Sequence, residues 1–289
     1  MNGKKAQKVI TVLLSLIFAG ALLAISAMLL GRGKPVKTAR DVVIFGDSIM
    51  AYSQDESSVA NCIAGQTGLD VLDLSFGGTL MSYIYEESSP AMQRNALSMF
   101  AISRSFLKDD FSQQVAYHPT EPATDYFASR ISEMQDLDLK NTGTVIIGQC
   151  INDYHCGITV GDANSASEYT YCGALNMVIY YLREINPDIR IIIVSPTRKW
   201  TDNGSDASDL DLGGGSFKNY IDAQKAVAES MNVEYLSLYD LYDTPFDAGD
   251  DGIMEGIGYT VDGTHPNYYG RKVIAERIAD YLKETDNDN

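Results

Sequence analysis

Four places in this chain hold residues able to support acyl-group chemistry. Ser48 lies within DVVIFGDSIMAY, residues 41–52, where an apolar run stops abruptly at Gly46-Asp47-Ser48. A serine hydroxyl becomes a nucleophile only when a base takes its proton and an acid orients that base. Histidine is scarce, with 3 in 289 residues, and His265 in VDGTHPNYYG has Asp262 three positions before it. Asn152 follows GTVIIGQC, and Gly77-Gly78 follows VLDLSF. An Asn amide is a neutral donor suited to an oxygen that becomes negative, and adjacent glycines let backbone N–H groups approach closely. Each place also has a plain reading. Asp47 and Ser48 are helix-cap types, Gly77-Gly78 can be an ordinary turn, Asp262 a turn residue and His265 a surface residue entering the last helix.

The elements that would position these residues alternate. Apolar runs at 41–46, 71–76, 143–149, 189–195 and 233–238 read as strands, and stretches at 57–67, 90–107, 123–134, 166–185, 216–231 and 267–282 read as helices. Five short apolar strands separated by helices imply an α/β fold: a parallel sheet of about five strands inside a three-layer α/β/α sandwich. In such a sheet the C-terminal strand ends share one rim, so Ser48, Gly77-Gly78 and Asn152 converge although distant in sequence.

Taken together, Gly46-Asp47-Ser48, Gly78 (or Gly77), Cys150-Ile151-Asn152-Asp153 and Asp262-Gly263-Thr264-His265 resemble, in order, the motifs of the SGNH, or GDSL, hydrolases. The resemblance spans essentially residues 41–282 and implies that family's flavodoxin-like fold. It also implies Ser48 as nucleophile, His265 as general base and Asp262 as its orienting acid. The N–H groups of Ser48 and Gly78 and the amide of Asn152 would form the oxyanion hole. Asp47, Gly77, Asp153, Tyr154 and His155 are candidates for lining the substrate pocket. One departure stands out: Cys150 occupies a position where the family has glycine, and its side chain must either crowd the rim or turn into the core. The chain lacks Gly-x-Ser-x-Gly, which argues against a lipase-type nucleophile elbow.

Before the domain, residues 1–40 hold seven Lys or Arg and no acid, which leaves 15 basic against 39 acidic residues beyond, a net of −24. Such a surface repels phosphate backbones and excludes nucleic acid as a natural partner. Residues 9–30 form an uncharged run of 22, long enough to cross a ~30 Å hydrocarbon layer. The expectation is a basic tail at 1–8, an uncleaved membrane anchor at 9–30, a basic linker at 31–40 and a hydrolase domain at 41–289. A cleaved signal peptide competes with the anchor. Basic residues flank the span on both sides, three before and four after, so their count does not set its orientation. The acidic domain fits export, and the expectation is a domain outside the cytoplasm, tethered by the anchor or secreted if the segment is cleaved.

Cys62, Cys150, Cys156 and Cys172 permit three pairings, with Cys156–Cys172 favoured, or four buried thiols. A cysteine nucleophile at Cys150 beside His155 lacks the usual activating pattern. No metal or cofactor is called for: the acidic cluster Asp240, Asp243, Asp247, Asp250 and Asp251 fails the calcium-loop pattern. Trp200, Tyr83, Tyr85 and Tyr154 could offer a sugar-stacking surface. The expected function is a serine esterase for short acyl groups, acetyl first, plausibly on a carbohydrate. A glycan O-acyltransferase with the same triad and an inactive carbohydrate-binding protein of the same fold are the alternatives.

Overall fold

The computed structural model describes residues 37–85, 95–119, 121–201, 204–242 and 258–286, the side chains of 285 and 286 excepted. The expected membrane segment at 9–30 and the acidic cluster after Asp240 lie outside these residues. Among the described residues no helix is long and apolar enough to cross a membrane.

In chain order the elements are β1 (Val42–Gly46), α1 (Ser48–Ala51), α2 (Val59–Thr67), β2 (Val71–Asp73), α3 (Met99–Lys108), α4 (Ser112–Val115), α5 (Phe127–Asp136), β3 (Thr144–Gly148), α6 (Ile151–His155), α7 (Tyr171–Ile185), β4 (Arg190–Val194), α8 (Phe217–Met231), β5 (Glu234–Leu236) and α9 (Tyr268–Asp286). All strand pairs are parallel, in the order β2-β1-β3-β4-β5. Every residue of β1 and β3 is buried, as expected of strands covered on both faces.

That order dictates the layers. The chain moves one way from β1 to β2 and the other way from β3 to β5, so right-handed crossovers put the intervening helices on opposite faces. The packing agrees: α2 lies against α9, while α3 lies against α7 and α7 against α8. The direction changes between β1 and β3, where such sheets open a crevice beyond their strand ends. Gly46 pairs with Gly148 at that edge, so Ser48 and Asn152 leave the sheet side by side. A Cβ on either glycine would meet the Met50 side chain within 3 Å, so the Met50 side chain fills this part of the core.

Several elements differ from expectation. β2 and β5 hold three residues each, although beyond β2 the Leu74 and Phe76 N–H groups still donate to Ile44 O and Gly46 O of β1 at 2.8 and 3.0 Å. The helix expected from Pro90 begins at Met99, capped by the Ser98 hydroxyl on the Ala101 N–H; residues 86–94 lie outside the description. The helices expected from 123 and 166 begin at Phe127 and Tyr171. None of the four cysteines forms a disulfide, which corrects the favoured Cys156–Cys172 pair; Cys150 and Cys172 are buried, Cys62 half-buried and Cys156 exposed.

Candidate active site

Ser48 sits at the first position of α1, and Asp47 caps that helix by accepting the Ile49 N–H at 3.0 Å. The cap and the chemistry therefore coexist: Asp47 fixes the turn while Ser48 faces outward. The other Asp47 oxygen accepts the Cys150 and Ile151 N–H groups at 3.2 and 3.3 Å, which ties the β1 turn to the β3 turn. Asp47 is 1 % exposed and belongs to the frame, not to the pocket lining. Burial pushes its carboxyl up to about 6, against the pull of those three N–H groups and of His265.

His265 arrives from the other end of the chain on a tight loop. The loop is closed by Val261 N–H donating to His265 O at 2.8 Å, and Gly263, at φ +78°, makes the bend under Trp200. A Cβ there would stand 2.7 Å from the Trp200 carbonyl oxygen, so the position requires glycine. His265 Nε2 lies 2.9 Å from Ser48 Oγ and its Nδ1 2.6 Å from Asp262 Oδ2. Asp262 Oδ1 accepts the backbone N–H groups of Thr264 and His265 at 3.0 and 2.7 Å. Partial burial would raise the Asp262 carboxyl, but the ring and backbone donors of His265 prevail and hold it down at about 2. Asp262 is thus a charged acceptor at any ordinary pH. A ring tied by Nδ1–H to a carboxylate leaves Nε2 as the acceptor for a serine proton.

The third side comes from the turns after β2 and β3. Gly78 adopts φ +73°, and its N–H, like that of Ser48, donates to no described residue. The Gly77 N–H, by contrast, donates to the Tyr126 hydroxyl at 2.9 Å. Asn152 Nδ2 donates one hydrogen to Thr79 O at 2.9 Å, and the residue faces the cavity. Gln149 Nε2 donates to Thr79 Oγ1 at 3.0 Å, so Thr79 couples the Gly77-Gly78 turn to the β3 end. Cys150 does not disturb this arrangement. Its side chain is 1 % exposed and turned into the core beside Tyr171, and burial drives its thiol well up, unlike a reactive cysteine.

Ser48, His265, Gly77, Gly78 and Asn152 border one cavity of about 610 Å³. Its walls include Leu97, Tyr117, Ala123, Tyr126 and Phe127, with Gln54 and Glu121 as polar members. Tyr52, one helical turn after Ser48, stacks on the His265 ring with centroids 5.3 Å apart. The sequence reading missed Tyr52 and Tyr126. The spacing from Ser48 to Tyr52 was an available signal for the first; for the second, 49 residues from Gly77, there was none.

Other expectations need correction. Asp153 does not line the pocket: it is fully buried, accepting Met81 N–H at 2.7 Å, Ser82 N–H at 3.1 Å and Ser82 Oγ–H at 2.5 Å. Tyr154 is buried too, its hydroxyl donating to Leu210 O. His155 is exposed but outside the cavity wall; desolvation of its ring, then Lys199 and His265, hold it down at about 4. Of the expected sugar-stacking group, Trp200 and Tyr154 are buried, whereas Tyr83 and Tyr85 gather around Tyr169 at 6.2 and 5.4 Å.

No protein-family model and no curated protein sequence matches the chain. Solved structures do. A protein from Lactobacillus plantarum superposes with a TM-score of 0.57 at 20 % identity, covering 86 % of this chain and 98 % of its own. A possible lipase from Chitinophaga pinensis gives 0.56 at 14 % identity, covering 84 % and 98 %. A structure described as a GDSL-like lipase, from Bacteroides ovatus, gives 0.49 at 12 % identity, covering 86 % and 100 %. At these identities the likeness is one of fold alone: the first two structures share this parallel α/β architecture over most of the chain.

Proposed function

We propose that the chain has the SGNH/GDSL-hydrolase fold and is a serine esterase that removes short acyl groups, acetyl first, through an acyl-enzyme. The observation that supports it is the unbroken relay from Asp262 through His265 to Ser48, at 2.6 and 2.9 Å, opening on one cavity. In this reading Ser48 Oγ attacks the ester carbonyl as its proton passes to His265 Nε2. The Asp262 carboxylate stabilises the imidazolium. The carbonyl oxygen, now negative, takes hydrogen bonds from the Ser48 and Gly78 N–H groups and from Asn152 Nδ2. His265 then protonates the departing alcohol, which leaves an ester on Ser48. Water, deprotonated by the same His265, releases the acid and restores the hydroxyl.

A neutral ester suits the site, because a domain this acidic repels anionic substrates. Exposed Tyr52, beside His265, and the cluster of Tyr83, Tyr85 and Tyr169 favour a sugar as the alcohol, since aromatic faces stack on sugar rings. We place the domain outside the cytoplasm, held by the apolar segment at 9–30. The test is a panel of p-nitrophenyl esters from acetate to dodecanoate, together with acetylated oligosaccharides, each read with and without an acceptor glycan. Turnover greatest for acetate and butyrate with release of free acid supports the reading. Acyl transfer to the glycan in place of acid release would make the chain an acyltransferase, and no turnover of any ester would refute the proposal.

A further inference from the structure

Across Gly77 from the nucleophile stands a phenol that the relay and the three oxyanion donors leave unused. A Cβ added to Gly77 would lie 3.3 Å from Tyr126 Oη and 3.8 Å from Ser48 Cβ, so a glycine here keeps open the space between hydroxyl and nucleophile. Tyr126 Oη accepts the Gly77 N–H at 2.9 Å, which occupies one lone pair and leaves its own proton to give. Among the described residues that proton has no acceptor, and Tyr126 lines the cavity.

The ring is held in place by a buried network. The Arg130 guanidinium lies 4.5 Å from the Tyr126 ring centroid. Its nitrogens donate to Ser75 O and, at 2.6 Å each, to Gln54 Oε1 and Asp73 Oδ2. Arg130 is 5 % exposed, so this cation is committed to the frame around Tyr126 and Gln54, both cavity residues. Such an investment in fixing one tyrosine is more than wall packing requires. Phe127 beside it closes the wall without a hydroxyl.

We infer that Tyr126 is a further catalytic residue, whose hydroxyl donates a hydrogen bond to the ester's carbonyl oxygen as Ser48 attacks. The inference rests on the esterase reading above. No proton is transferred: desolvation raises the phenol above its ordinary value, so it stays protonated and acts as a donor only. The Gly77 N–H strengthens the effect, because a hydroxyl that accepts one hydrogen bond becomes a better donor of another.

The experiment compares wild type, Tyr126→Phe and Ser48→Ala, each as the full chain, on p-nitrophenyl acetate and on its thionoester counterpart. Thionoester sulfur is a poor hydrogen-bond acceptor, so losing a donor to the carbonyl oxygen lowers the ester rate selectively, whereas loss of packing lowers both. Tyr126→Phe should reduce kcat on the ester by about tenfold or more, with KM within about threefold and thionoester kcat within about threefold. An equal fall on both substrates would make Tyr126 structural and overturn the inference, as would an unchanged ester rate. If Ser48→Ala abolishes ester turnover while Tyr126→Phe equals wild type, the inference alone fails. Ester turnover that survives Ser48→Ala would sink the esterase reading and the inference with it.

Discussion

Asp262→Asn should harm catalysis more than Asp262→Ala does, although it is the milder change in shape. Three donors surround the Asp262 carboxylate: the His265 ring at 2.6 Å and the backbone N–H groups of His265 and Thr264 at 2.7 and 3.0 Å. Asn has one acceptor oxygen and an NH₂. Keeping that oxygen on the two backbone donors satisfies more hydrogen bonds than turning it to the ring, so the NH₂ faces His265 Nδ1. The ring must then accept at Nδ1 and carry its proton on Nε2, where it can no longer take the proton of Ser48. A wrong tautomer costs about 10⁴ in kcat where the acid is buried. Here the Asp262 side chain is 50 % exposed, and water can compete for the ring, so a loss of about 10²–10⁴ is expected. Asp262→Ala leaves Nδ1–H to water and keeps the productive tautomer, so its loss should be roughly tenfold smaller. The assay is kcat/KM on p-nitrophenyl acetate near neutral pH, with circular dichroism as a control on folding. Since Asp262 is charged above about 2, its own titration should add nothing to the pH dependence of the wild-type rate between pH 6 and 8. An Asn variant within about fivefold of wild type, or faster than the Ala variant, would refute the tautomer argument.

The remaining predictions concern the frame. Asn152→Ala should slow ester hydrolysis by roughly 100-fold, as loss of one oxyanion donor does, whereas Cys150→Gly should leave the rate within about twofold and lower the thermal midpoint. A strong rate effect of Cys150→Gly would mean that its side chain sets the position of Asn152. Reductant should change neither activity nor stability, because none of the four cysteines forms a disulfide. Burial also raises the Asp153 carboxyl to about 6, with nearby Asp47 contributing to the shift. A carboxyl whose folded value exceeds its unfolded one binds a proton on folding. Its stabilisation is present in full below about pH 4 and is lost as pH rises through about 6. On refolding at pH 5, wild type should therefore take up nearly one proton more than Asp153→Asn, read by calorimetry in two buffers of different ionisation enthalpy. Equal uptake would contradict the raised value.

How much of this was legible in the sequence depends on what each residue answers to. The sheet was readable because runs such as VVIFG and the IIIV of β4 are apolar throughout, as strands covered on both faces require. Ser48 and His265 were readable because few residue types can do their chemistry. Asp47, Asp153 and Tyr154 were misjudged as pocket-lining for a related reason. A polar residue at a strand end can face a substrate or lock a turn, and sequence alone does not say which way it points. Here Asp47 binds three backbone N–H groups and Asp153 two more, so both hold the loops that bring Ser48 and Asn152 together. Tyr126 was invisible because its partners, Gly77 and Arg130, meet it only through the tertiary fold.

The measurement that bears most directly on the account is covalent labelling by a fluorophosphonate, with the modified residue read by peptide mass spectrometry. Wild type should gain one phosphonate on Ser48. Ser48→Ala should gain none, and Asp262→Asn should react slowly at the same residue. Phosphonate on another residue, or equal labelling of Ser48→Ala, would contradict the assignment of Ser48 as the nucleophile.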